Sequence, residues 1–157
     1  MSNTSSPIHF RRLIRGDLLL VVFIGGTVGT ALRYALSLSP VYGAFHVGTL
    51  AANLIAAFFF AGLSAYVSHA SWMSPSVSER VNRGLGMGLC GGLSTMSTLA
   101  VEEVTAFTGG DMSGAVAYML GTFACGLAVA TGGSIIGCRL SHSGAMSRGI
   151  GDRKEQM

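Results

Sequence analysis

Residues Gly84–Glu103 read G-L-G-M-G-L-C-G-G-L-S-T-M-S-T-L-A-V-E-E, and this stretch decides the fold. It is apolar enough to sit in a bilayer, yet Gly91-Gly92 is followed at once by Ser94, Thr95, Ser97 and Thr98. A helix that only spans lipid has no use for two adjacent glycines and four hydroxyls at its centre. A helix that breaks there does, because irregular backbone at membrane depth is tolerated where it lines a cavity or offers carbonyls to an ion. The expectation is a spanning helix broken near Gly91–Ser97, at the glycine pair and the hydroxyls that follow it.

The rest of the composition agrees with a membrane setting. Only 11% of the 157 residues are charged and the mean hydropathy is +0.55, whereas soluble domains carry roughly 25% charged residues. The 23 glycines suit helices that pack closely without a hydrophobic effect between them. Net charge is +3, but the basic residues sit at the ends of apolar segments, where they set orientation, so nucleic acid is not the inferred partner. Cys90, Cys125 and Cys138 fall in apolar stretches at spacings that fit neither a metal site nor a disulfide framework, and read as small packing residues.

Four spans emerge: Leu18–Leu38, Val47–Val67, about Gly84–Val101 and about Ala115–Ile136, the first close to the ~20 residues a bilayer needs. They define an all-α membrane protein with a channel-like body over 18–137, an N-terminal tail over 1–17 and a C-terminal tail over 138–157. Arg11-Arg12 faintly resembles a twin-arginine signal, but the apolar run continues far beyond a normal signal core, so the segment is expected to remain as a tail. Arg33, near the outer end of the first span, has two readings: snorkelling to the interface, or serving a protein interior or aqueous entrance. Asn53 in the second span must face protein or water, either as interhelical glue or as the lining of an aqueous path. Tyr118 and Thr122, four residues apart, share one face of the fourth helix. Tyr118 alone fits an interfacial anchor, and the two together fit a polar track.

Setting Arg33 aside leaves nine of the ten basic residues, and all nine fall on one side of a four-span topology: Arg11, Arg12, Arg15, Arg80, Arg83, Arg139, Arg148, Arg153 and Lys154. The opposite connections, 39–46 and 102–114, carry none and hold Glu102, Glu103 and Asp111. Both termini are therefore expected to be cytoplasmic.

Gly86–Gly91 formally matches G-x-G-x-x-G, but no strand precedes it and Glu102 comes too early for a dinucleotide site. Gly84/Gly88 and Gly88/Gly92 also form small-xxx-small pairs, which point to helix contact. His9, His46, His69 and His142 lack ligand spacing. With Asp17 and Glu102 placed at span ends, no acid is expected inside a span, which argues against a proton-coupled antiporter and a small four-helix cation exporter. No nucleophile–base pair suggests an enzyme. What remains is a passive pathway of neutral donors (Asn53, Ser97, Thr98, Tyr118 and Thr122) with positive charge from a cation held by carbonyls of the break.

Three stretches resemble the signature segments of the CrcB/Fluc fluoride channels: F-I-G-G-T-V-G-T-A-L-R-Y (Phe23–Tyr34), G-T-L-A-A-N-L (Gly48–Leu54) and G-L-C-G-G-L-S-T-M-S-T-L (Gly88–Leu99). The resemblance implies a small fluoride-selective membrane channel of two antiparallel subunits, with two pores and a central structural Na⁺. It assigns Gly91 and Ser94 to Na⁺ through main-chain carbonyls. Asn53, Arg33, Ser97, Thr98, Tyr118 and Thr122 fall to the anion pathway. The sequence departs from the family's T-T-F-S-T-F, whose phenylalanines offer electropositive ring edges to the anion; Met96 and Leu99 stand in their place. An antiparallel homodimer needs a sequence that inserts both ways, yet the charge bias is one-sided. One half of a heterodimer with a second CrcB-like subunit, conducting or serving as a non-conducting structural partner, reconciles the two departures.

Overall fold

The computed structural model describes residues 15–42, 44–70 and 72–155, with side chains described as far as Ser143. The tail residues Arg11 and Arg12 and the side chains of Arg148, Arg153 and Lys154 lie outside the described part. The chain is mostly helical, and four of its helical stretches are long and apolar enough to cross a membrane: Gly16–Ser37, Val47–His69, Pro75–Thr108 and Met112–Ser143. This is a multi-pass membrane architecture.

Helix α1 (Gly16–Ser37) ends shortly before Pro40, which cannot continue it. A short antiparallel hairpin follows, β1 (Val41–Tyr42) against β2 (Phe45–His46), with Val41 opposite His46 and Tyr42 opposite Phe45. Helix α2 (Val47–His69) leaves it directly. After Ala70 the chain turns and Pro75 starts α3 (Pro75–Val81) at its first position, where a missing N–H does no harm.

The third crossing is composite. α3 runs into a wider π-helical coil, Asn82–Cys90, then a turn of α4 (Gly91–Leu93). Ser94 and Thr95 have extended backbone, and α5 (Met96–Thr108) starts beyond them. The glycine pair itself is helical (Gly91 φ −66, ψ −36), and the extended backbone lies just beyond it, at Ser94 and Thr95. The reason is packing: a methyl group on Gly92 would collide with the backbone at Gly26, and those on Gly25 and Gly29 with the backbone at Gly84 and Leu89. These glycines serve the close approach of α1 to the third crossing. Gly62, Gly133 and Gly137 do the same between α2 and α6 (Met112–Glu155).

The third crossing is the innermost, with 39% of its span buried against 11% for each of the others. α1 packs along its π-helical part and α4, while α2 packs along α6. Gly110, at φ +89, ends α5, and the Asp111 carboxylate accepts from the Gly114 N–H at 2.9 Å to start α6, so the last reversal takes three residues. Cys90 is buried as a packing residue, whereas Cys125 faces outward; all three thiols are free. The region 138–155 is helical, a continuation of α6.

Candidate ion pathway

Asn53 organises the centre. Its amide oxygen accepts from the Thr95 N–H at 2.7 Å and from the Ser94 hydroxyl at 3.0 Å, and its amide nitrogen donates to the Thr95 carbonyl at 3.2 Å. One side chain on α2 thus bonds both backbone groups of Thr95, while the Ser94 N–H still donates to the Cys90 carbonyl at 2.9 Å. Thr95 then starts α5: its hydroxyl oxygen accepts from the Thr98 N–H at 3.2 Å, the geometry of an N-cap. That hydroxyl also donates to the Thr98 hydroxyl at 2.9 Å and lies 3.4 Å from that of Ser97.

The same bonds change the carbonyl at Gly91. In an unbroken helix the Thr95 N–H would bond it, and here that donor is turned to Asn53. Nothing approaches the open side of Gly91 within 4 Å of where a Cβ would stand. A carbonyl released from its ladder is the kind of group that can serve as a main-chain cation ligand. Asn53, Gly91, Ser94 and Cys90 line a cavity of about 280 Å³ on this side.

A second cavity, of about 310 Å³, is lined by Arg33, Thr30, Ser37, Thr49, Thr95 and Thr98. Among the described residues Arg33 makes no hydrogen bond or ion pair. A guanidinium among hydroxyls, without a carboxylate to neutralise it, concentrates anions in the space it faces. Thr95 belongs to the wall of this cavity and is held by Asn53, so this cavity reaches the interruption.

The part of the third crossing beyond the interruption holds a residue that sequence reasoning passed over. α5 continues to Thr108, so Glu102 and Glu103 stand inside it and not in a connection; the expectation of a span free of acids is corrected. The Glu102 side chain is 11% exposed. It accepts from the Thr49 hydroxyl and, at 3.4 Å, from the Tyr118 hydroxyl, and lies 3.8 Å from Nδ1 of His46. Tyr118 is fully buried, donates also to the His46 carbonyl at 3.0 Å, and packs edge-on against Phe45. Thr122 is buried one turn farther along α6, and its hydroxyl has no hydrogen-bond partner among the described residues. The one available signal was that the hydroxyl-rich run continues without a breaker up to the Glu102-Glu103 pair and beyond, to Gly109.

Residues 20–134 match the family described as CrcB-like protein, Camphor Resistance. The chain belongs to this family. It is 50% identical over 144 residues to "Fluoride-specific ion channel FluC 2" of Bifidobacterium longum, a match covering 92% of this chain and 81% of that protein. Against "Fluoride-specific ion channel FluC" of Proteus mirabilis the identity is 38% over 114 residues, covering 71% and 86%. Against the protein of the same name in Gloeobacter violaceus it is 35% over 122 residues, covering 73% and 90%.

Within this CrcB-like chain the site residues form three groups. Gly91, Ser94 and Asn53 surround one cavity, Arg33 and Thr98 the other, and Tyr118 joins Glu102. Ser97 is exposed. Met96 and Leu99 diverge: Met96 is 62% exposed on the outer surface of the chain, whereas Leu99 is buried at 3%.

Proposed function

We propose that this chain is a subunit of a fluoride-selective passive ion channel that lowers cytoplasmic fluoride. The observation that carries the reading is the free Arg33 guanidinium in a hydroxyl-lined cavity that reaches the helix interruption. An anion leaving water needs O–H and N–H donors and a nearby positive charge; Thr98, Ser97, Asn53, Tyr118 and the unpartnered Thr122 hydroxyl supply the donors. The half-identity to a protein named as a fluoride-specific channel supports fluoride as that anion. Fluoride enters cells as neutral HF and dissociates inside, so a passive exit lowers the internal level without an energy source. None of the residues in the pathway is asked to form or break a covalent bond.

The released Gly91 carbonyl, with Ser94, fits a Na⁺ held by main-chain oxygens, which would supply fixed positive charge to the pathway when bound. Arg15, Arg80 and Arg83 lie together at one end, where Arg15 pairs with Glu79 at 2.7 Å and Arg80 with Asp17 at 3.4 Å. Glu102 and Glu103 stand on the opposite connection's side, beyond the interruption. This polarity supports cytoplasmic N- and C-termini in a cell membrane, with 18–137 as the channel body between tails 1–17 and 138–157.

An antiparallel dimer with a second CrcB-like subunit of reversed charge bias completes the reading. The open face at Gly91 and the exposed Met96 provide surface for it, and the partner would bring the phenylalanines that Met96 and Leu99 replace. Those two positions also favour a second reading, in which this chain is the non-conducting structural member of the pair. Both are tested by fluoride efflux from liposomes holding this chain alone, then with a CrcB-like chain of opposite bias that keeps the phenylalanines. Fluoride-selective efflux from the pair, and little from this chain alone, is the expected result. Equal efflux from this chain alone overturns the heterodimer, and no efflux from either overturns the channel. Within the pair, Arg33→Gln slowing efflux by about tenfold assigns a pathway to this chain, and no change assigns conduction to its partner.

A further inference from the structure

Glu102 puts a buried negative charge at one wall of the proposed anion pathway, since Thr49, which donates to it, also lines the Arg33 cavity. A carboxylate there opposes an entering anion unless something balances it. Its hydrogen-bond donors, Thr49 and Tyr118, are neutral. Among the described residues, the group within 4 Å that can carry a switchable positive charge is His46, with Nδ1 3.8 Å from the carboxylate. The residue is held at that distance from two sides. Its carbonyl accepts from Tyr118 at 3.0 Å, and its Nδ1 lies 3.2 Å from the Ala44 carbonyl within the hairpin turn.

We propose that His46 sets the charge at this mouth: as imidazolium it balances Glu102 and admits an anion to the hydroxyl cavity, and as neutral imidazole it leaves the carboxylate to repel one. This rests on the reading of the chain as an anion pathway and adds its control. The groups facing the pair are Glu102 and Glu103 from α5, Tyr118 from α6 and, across the cavity lined by Thr49, Arg33 from α1. One Glu103 oxygen is buried without a hydrogen-bond partner among the described residues, so Glu103 offers the pair no compensating positive charge. Imidazole is the side chain whose charge ordinarily changes between about pH 5 and 8. Acid surroundings are also where neutral HF forms and enters most, so the mouth opens under the conditions that load the cell.

The test is fluoride efflux from vesicles holding this chain with the partner subunit, at external pH about 5.5 and about 7.5, on either side of the imidazole range. Protein-free vesicles at each pH subtract the leak of neutral HF. The native pair is expected to pass fluoride about tenfold faster at the lower pH, the lower end of what focusing of charge in a cleft achieves. His46→Gln is expected to flatten the profile at the slow rate, and Glu102→Gln to flatten it near the fast rate. Native efflux that is equal at both pH values overturns the proposal and leaves the channel reading standing. So does a pH dependence retained in His46→Gln, which would belong to the carboxylates themselves. Should His46→Gln not accumulate, Glu102→Gln decides alone, and a retained pH dependence in it overturns the proposal. No efflux at either pH overturns the channel reading and this inference with it.

Discussion

Between Gly84 and Gly92 the third crossing presents glycine after glycine to α1, and its backbone lies against the backbone of Val22, Gly25 and Gly26. Between Ser94 and Glu102 the same crossing presents hydroxyls and a carboxylate, held by Asn53 from α2 and met by Tyr118 from α6. The first half is a seam whose tolerance is steric: no side chain fits. The second half is a polar site whose tolerance is electrostatic: side chains of the right size fit, but donors and acceptors must match. The difference teaches that one apolar helix can change its neighbours, and with them its job, within two residues. The change coincides with Ser94 and Thr95, whose backbone is extended and where Asn53 takes over the Thr95 N–H.

This comparison can be broken at its strongest point first. Gly29→Val places a branched side chain against the Leu89 carbonyl and the Leu93 N–H region, which are backbone and cannot yield. Overpacking of this kind costs about 1–3 kcal/mol or more, and the expected outcome is loss of most monodisperse protein in detergent, read by size-exclusion chromatography. Gly121→Ala meets open space and should leave the yield unchanged. A Gly29 variant that accumulates normally would mean that the seam is not close-packed.

Asn53→Leu keeps the side-chain volume but strands the Thr95 N–H and the Ser94 hydroxyl. Thr95 is buried, where an unsatisfied group costs about 1–3 kcal/mol, whereas Ser94 is exposed; the thermal unfolding midpoint should fall clearly and fluoride efflux with it. An unchanged midpoint would show that water satisfies the turn as well as Asn53 does.

Thr95→Val is milder, because it removes the cap on the Thr98 N–H and leaves the Asn53 clamp intact. Loss of such a cap is worth about 1 kcal/mol, measurable as a smaller drop in the same midpoint. If Thr95→Val were as damaging as Asn53→Leu, the hydroxyl would be serving the pathway as well as the helix. Arg33→Gln should leave the midpoint nearly unmoved, since the guanidinium has no bonded partner among the described residues. A large fall there would mean that Arg33 is structural.

Much of the architecture was legible in the chain. Four long apolar runs placed the crossings, because a segment in lipid must satisfy its own backbone. Asn53 was legible as a side chain that must be paired, since an amide in hydrocarbon is costly alone. Its partners were not legible: Thr95 lies forty-two residues away, and only the packing of α2 on the third crossing brings them together. The glycine pair was assigned to a break because sequence gives only the absence of a side chain. Whether that absence serves a bend or a neighbour depends on what approaches it, and here α1 approaches Gly92.

Glu102 shows the limit most clearly. In sequence it stands at the edge of an apolar run, where a carboxylate normally reaches water. In the structure α5 carries on past it, and the hairpin residue His46, Thr49 of α2 and Tyr118 of α6 close around it. By itself the sequence determined that the chain enters a membrane as four apolar crossings and that its third crossing carries glycines and hydroxyls. The tertiary structure decided which of these pack and which meet polar partners, because hydropathy is a property of single segments while burial and pairing depend on the segments beside them.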